Sequence, residues 1–169
     1  MEGPGTISDK LIEEMKKFFG LDTRRIEHAL AVLDFAEKIH AAEGGDALVV
    51  KASAILHDIG IHEAERKYGS AAGKYQEIEG PPIAADIMKR RGLSADAIEH
   101  ICKIVANHHS AKDIDTIEFR IIWDADNLVN LQEETEDFDT DKIRRVAEKR
   151  FKTKTGYSIA GELLIKNKE

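Results

Sequence analysis

The chain has 169 residues, 42% hydrophobic and 34% charged, with 25 Lys and Arg against 32 Asp and Glu for a formal net charge of −7. That length suits one domain with a real core, and the charge balance excludes the cationic surplus expected of a protein that binds nucleic-acid polymers or anionic membranes. Three prolines and 6% aromatics argue against an all-β sandwich, and a single cysteine, Cys102, excludes an internal disulfide and fits a reducing cytoplasm.

The start, Met1-Glu2-Gly3-Pro4-Gly5, lacks the basic and apolar pattern of a secretory leader, and no run of about 18 apolar residues is present to span a membrane. The periodicity predicts helices joined by short turns. A first helix over 8–19 carries Leu11, Ile12, Met15 and Phe19 at helical spacing, with Ser8 as its cap and Gly20 ending it. Thr23 caps a second, about 24–42, with an apolar series Ile26, Ala29, Leu30, Leu33, Ala36 and Ile39. His28 lies on the neighbouring line with Val32 and Phe35, which aims it at packed surface. Residues 47–59 are apolar on almost every side, the mark of a surrounded central helix, and His57 and Asp58 fall in its last turn before Gly60.

A short charged helix is expected over 62–68, then a surface loop over 69–80 rich in glycine, then a helix opened by Pro81 and Pro82 and running to about 91. Ser94 caps a helix of about 95–108 whose inner stripe, Ile98, Ile101, Cys102 and Val105, leads to His108 and His109. A helix of about 116–132 is again apolar nearly all round, so Asp124 and Asp126 both fall where solvent is scarce. A buried carboxylate needs a partner or loses its charge. Asp139 caps a basic amphipathic helix of about 140–152, and Gly156 separates it from a closing helix over 158–166.

His28, His57, Asp58, His108, His109, Asp124 and Asp126 thus come from four separate helices, each at a buried stripe or a helix end. Imidazole and carboxylate suit Mn, Fe, Co, Ni or Zn, no thiolate cluster is available, and facing helices of a bundle are an established frame for such a centre. Gly69-Ser70-Ala71-Ala72-Gly73-Lys74 lacks the spacing and the Lys-Ser/Thr ending of a phosphate loop.

The order of His28 in Arg25-Ile26-Glu27-His28, the pair in Leu56-His57-Asp58-Ile59-Gly60, and the aspartate in Asp124-Ala125-Asp126-Asn127-Leu128 resembles the HD superfamily of metal-dependent phosphohydrolases over about 24–131. The family's final ligand precedes a short residue and leucine, which selects Asp126, on a line with Phe119, Ile122 and Val129. The resemblance implies an all-α, compact helical bundle, a single domain over 1–169 with a core of about 24–131 and C-terminal helices 139–166 packed on it. It implies a divalent cation (Mn, Fe, Co, Ni, Zn or Mg) held by His28, His57, Asp58 and Asp126, with Asp58 also orienting the nucleophilic water. Some relatives add histidines and hold two ions; Glu79, His108 and His109 are the candidates here, with Glu79 where those relatives have histidine. Asp124 then becomes a carboxylate behind the site or beside the substrate.

Many members continue with Gly-Lys, the lysine meeting substrate phosphate, whereas Gly60 is followed by Ile61 and His62. His62, Lys67 or Lys74 stand in as candidates for that contact. The Gly-Tyr-Pro signature of cyclic-dinucleotide phosphodiesterases is absent after His109. The expected activity is hydrolysis of a phosphate ester of a small molecule or nucleotide by a cytoplasmic monomer or homodimer. A di-iron oxygenase of the HD type and a non-catalytic nucleotide-binding module are the alternatives.

Overall fold

A computed structural model describes residues 5–168; Met1 to Pro4, and with them most of the pentapeptide read for a leader, and Glu169 lie outside the described residues. The helices are α1 Ile7–Phe19, α2 Thr23–Glu43, α3 Ala47–Leu56, α4 Ile61–Tyr68, α5 Gly73–Arg90, α6 Ala95–Val105, α7 Ile117–Glu134, α8 Thr140–Arg150 and α9 Lys154–Ala160. A wide π-type turn, Gly161–Ile165, continues α9. The fold is all-α, with no strand among the described residues, and no helix there is long and apolar enough to cross a membrane.

Short polar side chains start most of these helices by accepting from an otherwise orphaned backbone N–H. Thr6 and Asp9 form a reciprocal capping box, so α1 begins ahead of Ser8, and Asp22 rather than Thr23 caps α2. The middle of the fold is α3, whose Val49, Val50, Ala52, Ala54, Ile55 and Leu56 are all buried. α2 lies along both α3 and α7, and α6 closes the far side of α3. One apolar cluster joins side chains from every helix but α4.

Beyond Leu56 the chain leaves the helix through two tight turns, Ile59 N–H donating to the Leu56 carbonyl (3.1 Å) and Ile61 N–H to that of Asp58 (3.1 Å). Gly60 sits at φ −83°, ψ −5°, a conformation open to any residue. Its need for glycine is steric. A Cβ here would lie 2.6 Å from the Gly80 nitrogen and 2.8 Å from its Cα, and a Cβ on Gly80 would meet Val105 Cγ1 at 2.8 Å. Backbone therefore packs directly on backbone where α5 crosses the His57-Asp58 turn.

The stretch expected as a loop, 69–80, is largely helix: α5 begins at Gly73 and carries Pro81 and Pro82 in its interior. An interior proline removes a hydrogen bond and crowds the preceding turn, at a cost of roughly 3 kcal/mol. Burial of Gln76, Glu79, Gly80, Ala84, Ile87 and Met88 offsets that cost, so packing overrides the local signal. Gly156 likewise lies inside α9, its Cα face against the Asp124 side chain, where a Cβ would collide with the carboxylate.

Gly60→Ala is expected to force α5 outward and destabilise the fold by about 1–3 kcal/mol, measured by urea unfolding; an unchanged midpoint would disprove the backbone contact.

Candidate metal centre

Three elements deliver the site. His28 comes from the second turn of α2, His57 and Asp58 from the turn after α3, and Asp126 from the middle of α7. His28 Nε2 stands 3.0 Å from Asp126 Oδ1 and 3.2 Å from Asp58 Oδ2. His57 Nε2 stands 3.4 Å from Asp58 Oδ2 and 3.6 Å from Asp126 Oδ1. Donors about 2.1 Å from a common ion stand ~3.0–3.4 Å apart. The separations of Asp58 from His28 and from His57, and that of His28 from Asp126, match this spacing, while His57 to Asp126 is slightly longer; His28, His57 and Asp58 form one group of metal-capable atoms.

The histidine tautomers support the same reading. His57 Nδ1 donates to the Ala54 carbonyl at 2.8 Å, and His108 Nδ1 to that of Val105 at 2.7 Å. Each ring thereby turns its Nε2 inward, and both Nε2 atoms are buried without a hydrogen-bond partner. An outer hydrogen bond that fixes the ring and frees the inner nitrogen is the usual support of a metal-bound imidazole. The residues present fit a divalent cation.

Asp58 faces two ways. Its Oδ2 belongs to the group with His28 and His57, while its Oδ1 lies 3.3 Å from His108 Nε2. Asp58, His108 and His109 form a second group of metal-capable atoms. Glu77 holds that arm in place, its Oε2 accepting from His109 N–H (3.3 Å), Ser110 N–H (3.1 Å) and Ser110 Oγ (2.8 Å). His109 Nε2 lies 3.2 Å from Gln76 Oε1. Asn130, one turn past Asp126, donates to Asp126 Oδ1 at 3.1 Å.

Burial opposes charge on His57, Asp58 and Asp126, and their neighbours overcome it. Desolvation pulls the His57 pKa down, yet Asp58 and Asp126 raise it well above the ordinary imidazole range. Desolvation pushes Asp58 up, yet His57 and His108 hold it well below the usual carboxylate range. Asp126 is lowered in the same way by His28 and His57. His109, by contrast, is lowered by burial and by its neighbour His108.

Other expected site residues stand elsewhere. Asp124 does not line the site. Its Oδ1 accepts from Lys152 N–H (2.8 Å), and its Oδ2 from Thr153 N–H (2.8 Å) and Thr153 Oγ1 (2.6 Å), tying the α8–α9 turn to the core. Two residues along a helix turn through about 200°, so Asp124 and Asp126 face opposite ways. Glu79 is taken by Lys67 Nζ (3.0 Å) and Tyr68 Oη (2.9 Å). His62 Nε2 bonds Asp22 Oδ2 at 2.7 Å, and Lys74 lies exposed over the Tyr75 ring. Gln76 and Glu77 escaped the sequence because their helix was read as a loop. Asn130 was legible by its i, i+4 spacing from Asp126.

A cavity of about 390 Å³ opens onto His28, Asp58, His109 and Asp126, within the usual range for small-ligand sites.

An all-α domain with a convergent His/Asp group that could hold a metal is the class these features define. The family model described as HD domain matches residues 25–131, and the chain belongs to that family. Its fold is similar to the crystal structure of a predicted HD superfamily hydrolase from an uncultured Thermotogales bacterium. Identity is 22%, the match covers 93% of this chain and 82% of that one, and the TM-score is 0.64. The comparison with curated proteins finds no match.

Burial raises the Asp124 pKa from 3.8 to about 6, against the bonds from Thr153 and Lys152. The folded state thus holds the proton more tightly than the unfolded state, and this residue's contribution to stability falls as pH rises from about 4 to 6. Relative to Asp124→Asn, the wild type is expected to lose up to about 3 kcal/mol across that window, read by urea unfolding at each pH.

Proposed function

We propose that this chain is a metal-dependent phosphohydrolase that cleaves a phosphate ester of a small molecule. The observation that carries the reading is Asp58, which offers one oxygen to the His28–His57 group and turns the other toward His108. A carboxylate so placed both holds a cation and orients a water beside it. The solved neighbour's name, a predicted hydrolase, agrees.

A divalent cation bound by His28, His57, Asp58 and Asp126 would polarise a phosphoryl oxygen and lower the pKa of a bound water. The protein's own groups do the rest. Asp58 Oδ1 accepts a hydrogen bond from the attacking water and aims it. His108 Nε2, an acceptor because its Nδ1 donates to Val105, lies beside that oxygen and is placed to take the proton. His57 and Asn130 keep the two carboxylates in place. Burial of His57, Asp58 and His108 keeps the local dielectric low, which strengthens each of these interactions.

A two-ion form of the same centre is the second reading. It is favoured by the Asp58–His108–His109 group and opposed by the engagement of Glu79 with Lys67 and Tyr68. On the two-ion reading His108 is a ligand rather than a base.

Metal analysis of protein purified without added metal, then a panel of phosphate monoesters and nucleotides with Mn or Co, tests both. His57→Ala and Asp58→Ala should each cut metal affinity by more than about 100-fold, beyond the effect of losing an outer-shell partner; full metal content in either variant refutes the centre. Two ions per chain, falling to one in His108→Ala, would select the two-ion form. Two irons with oxygen-dependent turnover and no phosphate release would replace the hydrolase with an oxygenase.

A further inference from the structure

The cavity at the metal-capable centre has an outer wall that the proposed reaction leaves unexplained. Its floor is Asp58 and Asp126. The orphaned Nε2 atoms of the buried His57 and His108 lie behind them, so a ligand is expected here on grounds independent of the wall. Above the floor, α7 presents Asp126, Asn130 and Glu133 to the cavity, and α2 presents Glu27 beside His28. Positions i, i+4 and i+7 share one face of a helix. The α7 side chains therefore form a row of oxygen atoms that rises about 10 Å from the centre toward solvent.

The outer members of that row are acceptors without a donor. Asn130 Nδ2 donates to Asp126 Oδ1 at 3.1 Å. A carboxylate only accepts, so it fixes the amide with its carbonyl oxygen turned away from Asp126. Among the described residues, that oxygen and the carboxylates of Glu27 and Glu133 have no ion-pair or hydrogen-bond partner. Gln76 differs, since both ends of its amide are taken, by Ala71 and His109. Arg24 and Arg25 stand on the same wall as Glu27 and Glu133, so the wall's charges balance and do not demand a charged leaving group. Among the described residues no Phe, Tyr or Trp lines the cavity. The His109 ring packs against His108, with centroids 4.1 Å apart, and against Gly73, where a Cβ would lie 2.6 Å from the His109 Cγ. With His28 committed to the centre, no open ring is left to stack on a nucleobase. The cavity, about 390 Å³, is at the small end for ligand sites.

We infer that the site selects a phosphomonoester of a short, uncharged polyol, a sugar or sugar alcohol, whose hydroxyls donate to Asn130 Oδ1, Glu133 and Glu27. The inference rests on the phosphohydrolase reading and names its substrate class. Successive hydroxyls offer donors at close spacing, and a row of amide and carboxylate oxygens accepts them in turn, most strongly at the charged ones. Hydrolysis joins a water oxygen to phosphorus and breaks the bond from phosphorus to the ester oxygen. The polyol leaves as the free alcohol with a proton taken from water, and inorganic phosphate remains.

The test uses the full chain loaded with Mn and follows phosphate release. The esters are sorbitol phosphate, an aldohexose phosphate, butyl phosphate (an alkyl ester without hydroxyls), AMP and phosphoethanolamine. Wild type should show kcat/KM for the polyol esters about tenfold or more above butyl phosphate, the worth of one hydrogen bond to a charged group. Glu27→Ala and Glu133→Ala, both at exposed positions, should each lower that ratio several-fold, chiefly through KM, with metal content measured alongside. Glu133→Gln, which keeps an acceptor oxygen, should retain part of the preference. Three outcomes overturn the inference and leave the hydrolase reading standing: equal turnover of butyl phosphate, a preference for AMP or phosphoethanolamine, or a polyol preference intact in both alanine variants. If no ester releases phosphate with any divalent metal, the hydrolase reading falls and takes this inference with it.

Discussion

Two carboxylates, Asp58 and Asp126, are buried within reach of the same two imidazoles, and the centre of this molecule is arranged to make that arrangement tolerable. Like charges taken out of water repel one another and each loses its hydration. His28 and His57 lie between them, His108 takes the remaining Asp58 oxygen, and Asn130 supports Asp126. Four donors from α2, the α3–α4 turn and α7 must converge for this. The long packing of α2 against α3 and α7 is what brings them together. The Nε2 atoms of His57 and His108 are buried without a hydrogen-bond partner and face the carboxylates, an arrangement that suits a shared cation.

The cavity above this centre depends on a second constraint, the contact of Gly60 with Gly80. It seats α5 directly on the His57-Asp58 turn and so places Gln76 at the cavity wall and Glu77 under the His109-Ser110 turn. The helix accepts two interior prolines to reach that position. Glycine at 60 is therefore a packing requirement, and the arginines that line the cavity, Arg24 and Arg25, come from α2.

Asp124 shows how a residue of the right type can serve another purpose. It sits two positions from a ligand, is fully buried, and faces the α8–α9 turn, where three donors and the bare face of Gly156 receive it. The same helix thus uses one carboxylate for the centre and the other to fasten the C-terminal segment. Composition alone does not distinguish the two; the 3.6-residue repeat does, once the direction of one of them is known.

Periodicity and caps in the amino-acid sequence determined the all-α class and the central position of α3, because these depend on local repeats; residue type and position offered seven candidate ligands, and only the resemblance to the HD superfamily singled out His28, His57, Asp58 and Asp126 among them. The true course of α5, the capture of Glu79 by Lys67 and Tyr68, and the diversion of His62 to Asp22 were decided only by the tertiary structure. Each of those depends on which side chain from a distant helix arrives first at a donor or acceptor. Long-range packing sets that competition: it made a helix through two prolines, against local propensity, and in doing so chose which charges remained free to meet a ligand.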